Sequence, residues 1–395
     1  MRRSILLFPA ILAVAGLVLA GCGAPAPKVI KIATQSPLSG GMSAVGTDIK
    51  NGAQLAIEQL SGPLTKLGYK VELAPFDDQG NPDTGVANAK SIVADPAVLA
   101  VVGHYNSGVQ IPSSEEYHSA NLVNISPANT NPKVTERGYE EVNRICGRDD
   151  VQGAVGAQFA ASKGLKSAYV LHDKTAYGQG IAEYFKRQAE QLGIKVLGFE
   201  GTEEKANFDS ILSPILSAKP EVIYFGGMFD QAAVLYKQAR QKGYLGMYLS
   251  DDGFDASDAA KIGGDSLLQG AGTYFSTVSG PASVYPGTAK FVADFKAKFG
   301  SEPQPFAAQA FDCAAIALKA IETAAVAAKK LPARADVTKA VRALKDFPGI
   351  TGPVNFNNKG DLVKAKYFII QVSSGDPAQW SANKIDQTLE IAPPQ

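Results

Sequence analysis

The chain has 395 residues, of which 38 are basic and 38 acidic, so its formal net charge is zero. This balance gives no electrostatic reason to expect a nucleic-acid partner. The length is enough for two or three domains. Only three cysteines are present, and Cys146 and Cys313, the two outside the N-terminal segment, fit either a disulfide or two buried thiols. We favour free thiols.

The N-terminal segment predicts export. Arg2 and Arg3 precede an apolar run over residues 5–20, which ends in Leu-Ala-Gly directly before Cys22. A basic start, an apolar stretch of this length and a small-residue cleavage site are typical of a secretory signal peptide. The tetrapeptide Leu-Ala-Gly-Cys also resembles a bacterial lipobox, in which Cys22 carries lipid and becomes the mature N-terminus.

The alternatives are an ordinary signal peptide and an uncleaved anchor. The apolar run is shorter than the ~20 residues of a membrane-spanning helix, and Pro9 interrupts it. We therefore expect residues 1–21 to be a lipoprotein signal peptide and residues 22–28 to be a lipidated tether. The remaining chain is expected outside the cytoplasm, in the periplasm or at the cell surface, tethered to the membrane.

Beyond the tether, short apolar runs alternate with helical segments in two series. The periodicity predicts helices over residues 48–60, 83–93, 180–191 and 231–241 and a helix face over 208–216. The predicted strands span residues 29–33, 71–76, 98–102 and 122–126 in the first series and 167–171, 194–199, 221–225 and 247–250 in the second. This alternation predicts an α/β protein with two doubly wound parallel-sheet lobes and a ligand cleft between them.

The C-terminal third departs from this alternation. Helices are predicted over 289–299, 306–328 and 337–344, followed by a β region over 351–356 and 366–372. Because the far end of the chain then completes one of the lobes, we expect the chain to cross between the lobes near residues 146–149, Phe275 and 349–352. The predicted lobes are residues 29–148 plus 276–350 and residues 149–275 plus 351–395.

No motif in the chain indicates catalysis. His104, His118 and His172 do not have zinc-site spacing, and the chain has no nucleophile elbow, phosphate loop or dinucleotide fingerprint. We therefore predict a protein that is not an enzyme and that needs no cofactor and no metal.

The loops that follow the predicted strands suggest a binding site. Residues 102–107 and 125–130 place hydroxyls and backbone N–H groups at strand ends, which suits an anion such as a carboxylate. Residues 172–178 and 250–253 of the second series offer Tyr177 and Asp252 for a cation. Together they would suit a zwitterion such as an amino acid, whose charges must be paired in a closing cleft. The alternatives are helix capping by Ser and Thr, edge packing by Tyr177 and a turn cap at Asp252.

Several stretches resemble the periplasmic leucine/isoleucine/valine-binding proteins, the solute receptors of branched-chain amino-acid ABC transporters. The stretches follow in the expected order and are KIATQSPLSGGMSAVGTDIKNGAQLAIEQL, FDDQGNPDTGVANAKSIV, VVGHYNSGVQIPSSEEY, ISPANTNPKVTERGY, RICGRDDVQG, VLHDKTAYGQG, YFGGMFDQAAVLYKQAR and GPVNFNNKGDL. The resemblance implies a type I periplasmic binding protein fold, hinge closure on a branched-chain amino acid, and delivery to the permease subunits. We expect a monomer.

The resemblance also implies roles for individual residues. Ser107 and Thr130 would hold the ligand carboxylate, the Ala128 carbonyl and the Thr130 hydroxyl would receive the ammonium, and Tyr177 and Asp252 would close on the amino group. Tyr105, Asn129 and Met228 complete the predicted ligand site.

The chain also departs from the family pattern at the site. Asp252 stands where the family usually has Glu, Met228 where a tyrosine often contacts the ligand, and Ala44-Val45 where an aromatic residue often covers it. Asn106 and Gly80 occupy positions at which some members have a disulfide. Other readings therefore stay open: the same fold with an aromatic acid, an amide or urea, a signalling receptor without transport, or an extracytoplasmic hydrolase.

Overall fold

The computed structural model describes residues 28–394, so the predicted signal peptide and Cys22 lie outside the described residues. The first sheet has five parallel strands in the order β2-β1-β3-β4-β5. These strands are β1 (Lys28–Ser36), β2 (Tyr69–Asp77), β3 (Val98–Gly103), β4 (Val123–Ser126) and β5 (Val142–Arg144).

The second sheet has seven strands in the order β14-β13-β10-β9-β8-β6-β7, in which β13 is antiparallel to both of its neighbours, β10 and β14. A small hairpin pairs β11 (Phe347–Gly349) with β12 (Gly352–Val354). The seven strands are β6 (Ser167–His172), β7 (Lys195–Gly201), β8 (Val222–Gly226), β9 (Met247–Ser250), β10 (Thr273–Thr277), β13 (Ala365–Gln371) and β14 (Lys384–Ile391).

Helices cover the sheets. Their bounds are α1 (Ser43–Leu60), α2 (Gly62–Lys66), α3 (Pro82–Ala94), α4 (Ser107–Ser119), α5 (Asp149–Ser162), α6 (Ala176–Gln191), α7 (Asp209–Ala218), α8 (Phe229–Gln241), α9 (Ser257–Gly263), α10 (Ala289–Phe299), α11 (Ala307–Ala328) and α12 (Arg334–Ala343). None of these helices is long and apolar enough to cross a membrane.

The Ala-rich helix α11 packs on α1 and on the first sheet, although it comes from the far end of the chain. Small side chains let the two helices approach closely. A Cβ atom at Gly52 in α1 would lie only 2.1 Å from the Ala307 carbonyl oxygen, so no larger residue fits there. The predicted α/β architecture with two lobes built on largely parallel sheets is confirmed.

Several elements were not predicted from sequence periodicity, among them β5, β10, α5 and β14. Strand β5 has three residues, and β10 follows a Gly-Ala-Gly turn. Helix α5 has no clear apolar stripe because Gly153, Gly156 and Gln152 are buried in it beside the apolar residues. Strand β14 is a half-exposed edge strand with alternating polar residues. Long-range packing, and not the local pattern, determines these elements.

The predicted lobe boundaries stay predictions, and the two sheets support most of them. The third crossing is expected at residues 349–352, yet Gly360 and Asp361 still contact the first sheet. The Arg144 N–H donates to the Gly360 carbonyl at 2.9 Å, and Arg144 Nε lies 2.6 Å from Asp361 Oδ1. These contacts favour a crossing that follows residue 361.

Cys146 and Cys313 are both buried free thiols, as expected. Gly80 and Asn106 are also neighbours, since a Cβ atom at Gly80 would lie 3.3 Å from Asn106 Oδ1. The position at which relatives were expected to carry a disulfide is therefore preserved in space.

Candidate ligand-binding site

The predicted site residues come from strand-end loops of both lobes. The β3 and β4 loops carry the first-lobe residues, and the β6, β8 and β9 loops carry the second-lobe residues. The lobes touch at this edge, where Asn131 Nδ2 donates to the Ala176 carbonyl at 2.7 Å. All eight predicted residues are buried: Tyr105, Ser107, Ala128, Asn129, Thr130, Tyr177, Met228 and Asp252.

Asn129 joins the two first-lobe loops. Its Nδ2 donates to the Tyr105 carbonyl at 3.0 Å, and its Oδ1 accepts from the His104 N–H at 3.0 Å. The Ser126 hydroxyl donates to the same Oδ1 at 2.7 Å and accepts from the Asn129 N–H at 2.9 Å. These bonds occupy the Asn129 side chain, so its role in the structure is to position the loops. Its Nδ2 has a second N–H group, so the predicted ligand contact of Asn129 stays a prediction.

A buried polar network supports the same loops from behind. His104 Nδ1 lies 3.3 Å from Asp78 Oδ2, and His104 Nε2 lies 3.2 Å from the Tyr117 hydroxyl. Tyr117 donates to Gln35 Oε1 at 3.1 Å. Because all four side chains are fully buried, this network fixes the β3 loop within the first lobe and requires no ligand.

The ligand-facing groups of the first lobe are Ser107, Thr130 and Tyr105. Ser107 opens α4, so the first N–H groups of that helix have no partner within the helix and suit an anion. The Ser107 hydroxyl accepts from the Asn131 N–H at 3.4 Å. The Thr130 and Tyr105 hydroxyls are buried and have no hydrogen-bond partner within the described residues. A ligand could satisfy both.

The second lobe presents a pair of adjacent acids around Tyr177. The Tyr177 hydroxyl lies 2.7 Å from Asp251 Oδ1 and 2.9 Å from Asp252 Oδ1. Asp251 also accepts from the Gly227 and Gly253 N–H groups, both at 3.1 Å. Since Asp251 is more fully bonded within its own lobe, Asp252 is the acid better placed to receive a ligand. Met228 follows Gly227 directly, at the start of α8.

A third acid, Asp149, was not predicted from the sequence. It begins α5 and is fully buried, and the Thr130 hydroxyl lies close enough to lower its pKa, although no hydrogen bond of standard geometry reaches either carboxyl oxygen within the described residues. Burial raises its pKa, and the charge of Asp252 raises it further, against the opposing effects of the Thr130 hydroxyl and Arg144. Asp149 therefore lies where the two lobes meet, between the Thr130 loop and the Asp252 loop.

The three acids have high proton affinities. Burial raises the pKa of Asp252 to about 6, with the Tyr177 and Gln152 side chains acting against it. Burial and the charge of Asp252 raise the pKa of Asp251. The neighbouring cations are already engaged, because Arg144 and Arg148 both bind Asp361, and Arg148 also binds Asp150. Burial thus opposes ionisation of these acids, and a bound cation would favour their ionised forms.

The aromatic side chain of Phe306, which was also not predicted from the sequence, lies beside Tyr105 on the first-lobe side of the site. Phe306 precedes α11 with a positive φ of 70°, and its ring centroid lies 6.0 Å from that of Tyr105. The Phe306 N–H donates to the Ser279 hydroxyl at 3.2 Å, which helps hold this unusual backbone conformation. By contrast Val45, at the position where relatives were expected to have an aromatic cover, is fully buried in the core, and Ala44 is exposed.

Metal binding has no support in residues 28–394, where no group of three or more His, Cys, Asp or Glu side chains is arranged to hold an ion. The candidate site offers hydrogen-bond donors for an anion on the first lobe and, on the second, carboxyl groups without a counterion in the described part of the chain.

The chain matches relatives over most of its length. It is 32% identical to an amino acid binding protein of Pseudomonas aeruginosa, over 91% of this chain and 95% of the relative. It is 31% identical to a Leu/Ile/Val-binding protein homolog of Brucella abortus, over 87% of this chain and 91% of the relative.

Solved structures show the same fold. A leucine-binding protein from Thermotoga maritima superposes with a TM-score of 0.81 at 29% identity, covering 91% of this chain and 98% of that one. A solute-binding protein from R. palustris in complex with benzoate has a TM-score of 0.79 at 18% identity, covering 92% of this chain and 98% of that one. The latter shows the fold alone.

The family model described as periplasmic binding protein matches residues 29–377. This family consists of extracytoplasmic solute-binding proteins. The chain therefore belongs to the periplasmic binding protein family, as a relative of its Leu/Ile/Val-binding members.

Proposed function

We propose that this protein captures a branched-chain amino acid, leucine, isoleucine or valine, between its lobes and delivers it to an ABC permease without chemical change. The observation that carries the proposal is the charge arrangement at the cleft. Asp149 and Asp252 are buried without a salt-bridge partner in residues 28–394, Asp149 lies beside the Thr130 hydroxyl, and Ser107 of the first lobe begins α4. An ammonium would compensate the acids, and a carboxylate would meet the helix N-terminus.

The closing motion follows from the same arrangement. A ligand shifts an open-closed equilibrium only by its extra affinity for the closed state. A zwitterion bridges donors of the first lobe and acids of the second, so it binds fully only when both lobes contact it. A permease that recognises only the closed form would then engage only protein with a bound ligand.

A calorimetric titration tests the substrate class. Leucine is compared with 4-methylpentanoate, which lacks the ammonium, and with isopentylamine, which lacks the carboxylate. We expect leucine to bind at least a hundredfold more tightly than either analogue, since each leaves one side of the site uncompensated. Tight binding of benzoate, an amide or urea, without binding of leucine, isoleucine or valine, would contradict the proposal and support the alternative solutes.

We also propose that lipid on Cys22 holds the protein at the membrane, where it would be concentrated near the permease. The Cys22→Ala variant is expected to move from the membrane fraction to the soluble extracytoplasmic fraction after cell fractionation. Cys313→Ala, a buried thiol far from the N-terminus, is the matched control. Continued tight membrane association of Cys22→Ala would instead indicate an uncleaved anchor.

A further inference from the structure

A cavity of about 920 Å³ includes Phe306 in its lining, next to Tyr105 of the candidate site. Both lobes contribute to it: Tyr285 and Phe306 come from the first-lobe side, and Asp255, Phe275 and Trp380 come from the second. None of the eight predicted site residues lines it. Its volume is in the range of sites for small organic ligands.

The cavity has an aromatic wall. The Phe275 and Trp380 rings are stacked, with centroids 5.7 Å apart and an interplanar angle of 6°. The Tyr285 and Phe306 side chains extend this apolar lining. Such a surface favours an apolar body, and Trp and Tyr rings also attract cations that approach their faces.

A buried carboxylate provides the charge of the cavity. Asp255 is only 5% exposed and accepts a hydrogen bond from Trp380 Nε1 at 2.8 Å, but it has no salt-bridge partner within the described residues. The only other charged side chains that line the cavity, Lys296 and Glu302, pair with each other at 2.7 Å. The lining therefore has one buried carboxyl without a counterion among the described residues, and burial raises its pKa to about 7.

An amide donor completes the polar lining. Asn383 is 6% exposed, and its Oδ1 accepts from the Ser373 N–H at 2.9 Å. Its Nδ2 is buried without a hydrogen-bond partner within the described residues. An ammonium has no acceptor for this N–H group, so Asn383 does not contribute to the binding of a cation.

We propose that this cavity is a second ligand site, which takes a small organic cation with an aromatic or aliphatic body, such as a protonated primary amine. Asp255 would accept from the ammonium, and the Phe275–Trp380 wall would cover the apolar body. The site is distinct from the amino-acid site, because Asp255 and not Asp252 compensates the cation and no carboxylate is required.

The test compares 2-phenylethylamine with its neutral match 2-phenylethanol and its anionic match 3-phenylpropanoate, titrated into the mature protein by calorimetry. We expect the amine to bind at least tenfold more tightly than the alcohol, and the anion to bind most weakly. Asp255→Asn should remove the preference for the amine, whereas Asp252→Asn and Asp258→Asn should retain it.

A second variant keeps the test informative if Asp255→Asn does not fold. Ala289 lines the cavity at an exposed position, so Ala289→Trp fills space there without disturbing the core. It should weaken both the amine and the alcohol at least tenfold and change leucine affinity by less than twofold. Loss of amine binding in Asp252→Asn, equal affinities of amine and alcohol, or unchanged amine binding in Ala289→Trp would each overturn the second site.

Discussion

The two edges of the cleft differ in how far the protein satisfies its own polar groups. On the first lobe, Asn129 and the Asp78–His104–Tyr117 network hold the loops with bonds that require no ligand. On the second lobe, Asp252 and Asp149 are buried near one another with little compensation. The first-lobe edge is neutral and is held in place by its own hydrogen bonds. The second-lobe edge has buried acids without a counterion in the described part of the chain.

This difference assigns separate tasks to the two lobes. A rigid neutral edge can hold the geometry of a ligand at little cost in entropy. An edge with uncompensated charge makes closure unfavourable until a cation arrives, because like charges and desolvation oppose burial. We therefore expect changes on the charged edge to have larger effects on affinity than changes on the neutral edge.

The largest effect is expected for Asp252→Ala. The ligand ammonium would then lose its closest acid within the closed cleft, and removing one partner of a buried charge pair costs about 3 kcal/mol or more. Leucine affinity measured by calorimetry should fall by roughly a hundredfold or more. The thermal midpoint of the unliganded protein should change little, because the deletion also relieves repulsion between the acids.

Asp258→Ala provides the matched control for this change, since Asp258 lies nearby in α9 and does not belong to the acid cluster. An unchanged leucine affinity in Asp252→Ala would show that another acid receives the ammonium, with Asp251 the next candidate.

Asp149→Asn is expected to have the second largest effect. The substitution keeps the shape of the side chain and removes one of the uncompensated charges, so leucine affinity should fall by about tenfold to a hundredfold, or roughly 1.4 to 2.8 kcal/mol. The unliganded protein should be stabilised at neutral pH, because Asn removes a carboxyl that must take up a proton or be buried with its charge on folding. Calorimetry and thermal denaturation without ligand measure the two effects.

Opposite signs for affinity and stability distinguish a ligand-facing acid from a structural one. The adjacent Asp150 serves as the control, because it pairs with Arg148 at 2.6 Å. Asp150→Asn should destabilise the protein without a comparable loss of leucine affinity. A loss of stability in Asp149→Asn would mean that Asp149 stabilises the fold instead.

The pH dependence of binding should reflect the raised pKa of Asp252, which is about 6. The ionised carboxylate binds an ammonium, so leucine affinity should rise by about tenfold between pH 5 and pH 7 as Asp252 loses its proton. Asp252→Asn should flatten this part of the profile. A profile that stays equally steep in the variant would assign the titration to another group.

The stability of the unliganded protein should change in the opposite direction. Because the folded pKa of Asp252 lies above its unfolded value of 3.8, the folded state binds the proton more tightly. This contribution is fully present below about pH 3.8 and is lost as the pH rises through about 6. The difference in thermal midpoint between wild type and Asp252→Asn, measured across this pH range, separates the contribution of Asp252 from those of the other acids.

The sequence predicted strand-end residues of both edges, but not the acid at the start of α5. Ser107, Thr130, Tyr177 and Asp252 follow predicted strands directly, and the carboxyl ends of parallel strands meet at one edge, so their location followed from the alternation of elements. Asn129 was found by the same rule, although its side chain turned out to hold the loops together. Its role depends on His104 and Tyr105, in a loop more than twenty residues earlier.

Asp149 and Phe306 could not be placed from local pattern. An acid at a helix start usually complements the helix dipole, and nothing in Arg-Asp-Asp distinguishes the acid that pairs with Arg148 from the one that faces the cleft. Phe306 reaches the site only because α11 returns to the first lobe and packs on α1. Both depend on contacts between segments that are distant in sequence.

The smallest effect is expected for Ser107→Ala, on the neutral edge. The variant loses one hydroxyl from the carboxylate side, whereas the N–H groups at the start of α4 stay in place, because the backbone conformation does not depend on that side chain. The loss of one neutral hydrogen bond costs about 1 kcal/mol, so leucine affinity should fall only about fivefold by calorimetry. Ser119→Ala, at the exposed end of the same helix, is the control. If leucine affinity falls as much in Ser107→Ala as in Asp252→Ala, the first-lobe edge is not preorganised. Side chains of both lobes would then contribute equally to binding the charged groups of the ligand.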